Sequence, residues 1–198
     1  MVEVVVARYK EDISWLKEIN HKIIVYNKGP DCNFPCISLP NIGREAQTYL
    51  FHIIENYNKL PEWTILCQGH PFDHCKNAIS ILNKIPISFD NLHKYCEGCY
   101  GIADRYLNET QQDVQRLNVW HQDFYKKFFS TPKSRFHFAC GAQYAIHISN
   151  IQAKPLSFYK RILSSYSWND HEPWSIERIW PEIFDIRNLG KFKYKQLI

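Results

Sequence analysis

Hydrophobic and polar positions alternate along the chain in blocks short enough to read one by one. Residues 2–7 (VEVVVA) are β-branched and largely apolar, which predicts a strand buried in a parallel sheet. Residues 11–19 (EDISWLKEI) have the spacing of a short helix, with Ile13, Trp15 and Leu16 inward and Glu11 and Asp12 in the first turn. Residues 22–26 (KIIVY) predict a second strand, ended by the turn Asn27-Lys28-Gly29-Pro30, and residues 36–39 a short third one. In "LPNIGREAQTYLFHIIENYNKLPEW", Asn41 is placed to cap a helix that starts near Gly43 or Arg44. Ala46, Tyr49, Leu50, Ile53, Ile54 and Tyr57 then recur at helical spacing until Pro61. Residues 63–67 (WTILC) predict another strand, ending at Gln68-Gly69-His70-Pro71, and residues 76–84 a further helix. The first 85 residues therefore read β-α-β-(β)-α-β-α. That order predicts a mainly parallel central sheet with helices on both faces.

The pattern is weaker over 86–135, where 109–129 has helical stretches rich in aromatics. Residues 136–148 suit strand or turn, and 154–166 and 174–184 suit helices. We expect one α/β domain over 1–190. The basic tail 191–198 would suit a linker in a longer, multidomain chain.

Composition narrows the classes. Of the 198 residues 45% are hydrophobic and 15% aromatic, enough for a core and too many for disorder. A formal charge of +4 with dispersed basic residues admits an anionic ligand but not a nucleic-acid surface. No apolar run approaches the roughly 18 residues of a membrane span. Strand-like residues from the start argue against a secretory leader, so we expect a reduced, cytoplasmic protein. Among seven cysteines, Cys32/Cys36 and Cys96/Cys99 could form a four-thiolate zinc site, against which stands the simpler alternative of scattered thiols.

Three polar clusters follow strands, where parallel sheets bind ligands. Arg8, Tyr9, Glu11 and Asp12 follow the first strand, although Glu11 and Asp12 also suit an ordinary first helical turn. "LPNIGREA" opens a helix whose N-terminus favours an anion, with Arg44 able to add a charge-assisted bond; an ordinary cap with a surface arginine is the alternative. "CQGHPFDHC" offers Asp73 with His70 or His74 for a divalent metal, or else a plain turn. Rossmann, P-loop, nucleophile-elbow and H-E-x-x-H patterns are absent from the sequence.

The segments "VVARYKED", "VYNKG", "LPNIGREAQTYLFHI", "LPEWTILCQGHPFDH", "GAQYAI" and "SIERIWPEIF" occur in this order over residues 2–184. In that order they resemble a small family first described as a domain of unknown function. That family includes glycosyltransferase domains encoded by large viruses of chlorella-like algae. The first half also resembles the broader GT-A glycosyltransferases. The resemblance implies a GT-A-like fold and a nucleotide-sugar donor, a UDP-sugar, with Mn²⁺ or Mg²⁺ on its diphosphate. It further implies a glycan or glycoprotein acceptor and, for a viral chain, the host cytoplasm.

On that resemblance Arg8, Tyr9 and Glu11 line the nucleotide pocket, Asn41 and Arg44 lie nearby, and Gln68 is grouped with them. Asp73 takes the D-x-D position, with His74 as its metal-binding neighbour. No second Asp follows at D-x-D spacing, and Asp104 is the weaker carboxylate candidate. Sugar transfer by inversion also needs a base for the acceptor hydroxyl. Glu177 is the first candidate and Glu172 the second, while pairing with Arg178 is the structural alternative for Glu177. Trp168, Trp174, Trp180 and Tyr144 could stack on sugars or simply fill the core. Gln143 and His147 keep one face of the strand-like run around Tyr144 polar. We expect a glycosyltransferase moving a hexose or deoxyhexose, such as glucose or rhamnose. The alternatives are a non-catalytic nucleotide-sugar or carbohydrate-binding module and a zinc-stabilised interaction domain.

Overall fold

The computed structural model describes residues 1–85, 99–110, 125–130, 133–165 and 172–186. Cys96, Trp168, residues 111–124 of the expected aromatic helical region and the tail 191–198 lie outside them. A six-stranded sheet carries the molecule, in the order β3-β2-β1-β4-β8-β5. Its strands are β1 (Val2–Arg8), β2 (Lys22–Asn27), β3 (Cys36–Ser38), β4 (Trp63–Gln68), β5 (Cys99–Gly101) and β8 (Tyr144–His147). The first four run parallel; β8 is antiparallel to β4, and β5 antiparallel to β8. A separate antiparallel pair joins β6 (Tyr106–Thr110) to β7 (Arg135–Ala139).

Both faces of the sheet are covered, and β1 shows why its sequence is so apolar. Val5 packs under α1 (Arg44–Asn56), α4 (Leu156–Ser164) and α5 (Glu172–Ile183), in a core that includes Tyr49, Ile53, Tyr159, Ile179 and Trp180. Val4 and Val6 face the opposite layer, with Trp15 and Leu16 of a 3₁₀ turn (Ser14–Glu18) and Ile81 and Leu82 of α2 (Ala78–Asn83). All three valines are fully buried, each contributing about 1.5–3 kcal/mol relative to an exposed side chain. A five-residue helix, α3 (Ile148–Gln152), follows β8.

Several expectations need correction. The segment 11–19 forms only a 3₁₀ turn over Ser14–Glu18. The side chains expected to start a helix have other bonds: the Asp12 carboxylate accepts from both the N–H and the hydroxyl of Ser14, at 2.9 Å each. The helix expected over 76–84 is shortened to Ala78–Asn83. The weakly patterned middle holds β5 and β6, which are too short for period-two alternation to register. Asn41 does not cap α1; Gly43 occupies that position without a side-chain bond. The four-cysteine zinc site is excluded by topology. Cys36 and Cys99 sit on opposite edge strands, five strand spacings or roughly 24 Å apart.

Candidate functional site

The strand order reverses at β1: the chain moves outward to β2 and β3, then returns to place β4 on the other side. Carboxyl ends of strands flanking such a reversal leave a crevice. Here it is a cavity of about 400 Å³, within the range of small-molecule sites. Ala7 and Arg8 from β1, Gln68 from β4, Asn41, Arg44 and Glu45 around the start of α1, and Asp73 and His74 beyond β4 all line it. The three polar clusters seen in the sequence thus share one cavity.

Their side chains divide into those that build the cavity and those that face it. Arg8 is 8% exposed, and its guanidinium ties loops together. Nη1 donates to Asn27 Oδ1 at 2.7 Å and to Pro30 O at 2.8 Å, and Nε donates to Glu11 O at 3.0 Å. Glu11 Oε2 accepts from the backbone N–H of Tyr9 at 2.6 Å and of Lys10 at 3.1 Å. The charge that follows β1 is therefore largely a brace for the loop. Tyr9, 40% exposed, also lines the cavity.

Lys28, read in the sequence only as a turn residue, is a central cation of the site. It is 8% exposed, lines the cavity, and its ammonium donates to Ile42 O at 2.7 Å and Arg44 O at 2.5 Å. Burial pulls its pKa down to about 8, against a smaller opposing effect of Glu45. Its bonds hold an unusual backbone: Gly43 and Arg44 both have positive φ, 63° and 49°. For a non-glycine residue such as Arg44 this costs about 1–3 kcal/mol. The strained turn aims Arg44 and the uncapped first turn of α1 at the crevice. Applying the strand-end rule to β2, as to β1 and β4, would have found Lys28 in the sequence.

A second cavity, of about 100 Å³, adjoins the first and shares Arg44, Glu45, Gln68 and His74 with it. Its other wall is Gly141, Pro173, Trp174 and Glu177. Trp174 is 42% exposed, and the Arg44 guanidinium lies 4.7 Å from its ring centroid. Glu177 Oε1 accepts from Gly141 N–H at 2.8 Å and Oε2 from Arg178 Nη1 at 3.3 Å. Both its cavity position and its pairing with Arg178 are therefore present. Arg178 is locked further by two bonds to Glu109, at 2.7 and 3.0 Å. Gly141, at φ +84°, lets the backbone pass against the His74 ring; a Cβ there would come within 2.3 Å of Cδ2. Glu45 reaches both cavities from the first turn of α1. Burial raises its pKa; the negative charge of Glu177 also raises it, while its own backbone N–H, Arg44 and Lys28 oppose the rise.

Other candidates stand apart. Glu172 is buried at the start of α5 and is not among the residues lining either cavity. Trp180 stacks on Phe184 in the core, and the Tyr144 hydroxyl accepts from Ala139 N–H inside it. Gln143 is fully buried and donates to Pro71 O and Ile102 O, so it holds the turn after β4 in place. His147 bonds to Ser149 at the start of α3, at the far end of β8 from Tyr144 and Gly141. Asp104 accepts from Lys76 N–H.

For a divalent ion the geometry favours a different histidine from the one adjacent in sequence. His70 Nε2 lies 3.5 Å from Asp73 Oδ1, whereas the His74 ring packs on Gly141. Among the described residues no three His, Cys, Asp or Glu side chains gather as a metal site.

A family model described as "Protein of unknown function (DUF3431)" matches residues 4–195. No curated protein matches the chain. No helix among the described residues is long and apolar enough to cross a membrane.

Proposed function

We propose a sugar-transfer activity for this chain, which belongs to the family of proteins of unknown function DUF3431. The reading is a GT-A-like glycosyltransferase that moves a hexose or deoxyhexose from a UDP-sugar to a glycan acceptor. One observation carries it: a crevice at the strand reversal, lined by Lys28 and Arg44 as well as by Glu11, Glu45 and Asp73, adjoins a smaller cavity walled by an exposed tryptophan and two carboxylates. A phosphate-bearing ligand with a sugar at one end has the same two-part chemistry. The motif resemblance over residues 2–184 supports the same reading.

In this mechanism Lys28, Arg44 and the first turn of α1 bind the diphosphate and stabilise the charge that develops on it as the sugar departs. The Tyr9 ring offers a flat wall to the base. The Trp174 face offers C–H stacking to a sugar, and Glu177 accepts a hydroxyl hydrogen bond from sugar or acceptor. The buried Arg8–Asn27–Pro30 bonds keep the wall rigid, so little ordering cost falls on binding. A divalent ion bound with the diphosphate would be held by Asp73 with His70 and would supply further charge neutralisation.

The test is calorimetric titration of UDP-glucose and UDP-rhamnose, with and without Mn²⁺, alongside an assay for UDP release. Binding with release supports the transferase. Binding without release in the presence of candidate glycans supports the non-catalytic module instead. Absence of binding by any UDP-sugar with Mn²⁺ present refutes both.

A further inference from the structure

The two carboxylates of the small cavity are not equivalent. Both oxygens of Glu177 are engaged, one by a backbone N–H and one by an arginine that is itself fixed by Glu109. Glu45 has a looser setting. Its nearest cation is Arg44 Nε at 3.8 Å, its side chain is 12% exposed, and it borders both cavities at their junction. A reacting sugar carbon bonded to a diphosphate in the larger cavity, and approached from the smaller one, would sit at that junction.

We propose that Glu45 is the catalytic base of the transfer, and that Glu177 instead orients the acceptor hydroxyl. This rests on the sugar-transfer reading and deepens it. In the step, a Glu45 carboxylate oxygen takes the proton of the acceptor hydroxyl. The acceptor oxygen forms its bond to the sugar carbon, and the bond from that carbon to the diphosphate oxygen breaks. The electron pair leaves with the nucleoside diphosphate, held by Lys28 and Arg44, and Glu45 later returns its proton to water.

The surroundings suit the role. Burial lifts the basicity of Glu45 toward the working pH, where a general base is most effective. Besides burial, the groups that set its titration are its own backbone N–H and Arg44 on its helix, Glu177 on α5, and Lys28 after β2.

The test uses the whole chain with UDP-glucose and UDP-rhamnose as donors, with water as the acceptor, and follows UDP release against pH. Glu45→Gln should lower kcat by about 10²–10⁴-fold. It should leave UDP affinity within threefold and abolish the acid limb that the wild type shows above the ordinary carboxylate range. Glu177→Gln should keep that limb. Glu45→Asp, which keeps the carboxyl but withdraws it, should keep the limb with kcat at least tenfold lower. Glu45→Gln with kcat within threefold of wild type, or with the limb intact, overturns the assignment and leaves the sugar-transfer reading standing. Wild-type rates in Glu45→Asp overturn it too. Failure of the wild type itself to bind UDP or release it from either donor overturns both, and the wild-type control separates the two failures.

Discussion

Raising the pH from 7 to 9 should weaken the binding of UDP about tenfold through one side chain, Lys28. Its ammonium is buried against two carbonyls at the cavity wall, and its pKa is drawn from 10.5 to about 8 by burial. At pH 7 roughly nine in ten molecules then carry the charge, and at pH 9 roughly one in ten. A diphosphate that needs the charged form loses about 1.4 kcal/mol over that span. Stability of the ligand-free protein should move the other way. Between pH 8 and 10.5 the unfolded chain holds the proton that the folded chain has released, so unfolding becomes harder as pH rises. Below pH 8 both states are charged, and the burial penalty, about 3 kcal/mol, applies in full. Calorimetric titration of UDP at constant ionic strength, in wild type and Lys28→Met, reads the binding term; the variant carries whatever the ligand's own titration contributes. Urea unfolding reads the stability term. Wild-type affinity that is flat from pH 7 to 9, or that falls equally in Lys28→Met, would refute this role for Lys28.

Other outcomes follow from single contacts. Gly141→Ala should cost about 1–3 kcal/mol in urea unfolding, because the residue has φ +84° and its new methyl would strike the His74 ring; a loss below about 0.5 kcal/mol, the ordinary surface range, would contradict this. Glu3 is buried, which raises its pKa, but bonds from His52 and Lys22 outweigh burial and hold it below 4.5. Its stabilisation is therefore present above pH 4.5 and lost as pH falls through the folded value. Glu3→Gln should be about 1–3 kcal/mol less stable than wild type at pH 7. That gap should close in acid, and a constant gap down to pH 3 would refute the linkage. Trp174→Ala should leave stability nearly unchanged, since the ring is 42% exposed. It should weaken UDP-sugar binding by roughly two- to tenfold, more than it weakens UDP alone, which loses only the ring that supports Arg44, as read by calorimetry.

The sequence by itself determined the parallel part of the sheet and its coverage. VEVVVA cannot satisfy its apolar side chains on one face only, and the β-α alternation that follows leaves a mainly parallel sheet with helices on both sides. It also marked the crevice, because charge after buried strands must lie at their carboxyl ends. Tertiary structure alone decided the function of each charge there. Arg8 ends β1 and Glu11 follows it, yet Arg8 reaches Asn27 and Pro30, partners fixed only once β1 and β2 pair, while Glu11 folds back on the N–H groups of Tyr9 and Lys10. Lys28 looked like part of a turn, and it becomes a buried cation only when the strained turn at Gly43 and Arg44 closes over it. Glu45 and Glu177 are more than a hundred residues apart, and no local pattern relates them. They meet because α1 and α5 pack on the same face of the sheet and bring the first turn of α1 beside the first two turns of α5 at the end of the crevice. Periodicity records which face of an element is buried. The partners of a polar side chain depend on long-range contacts, and those exist only in the folded chain.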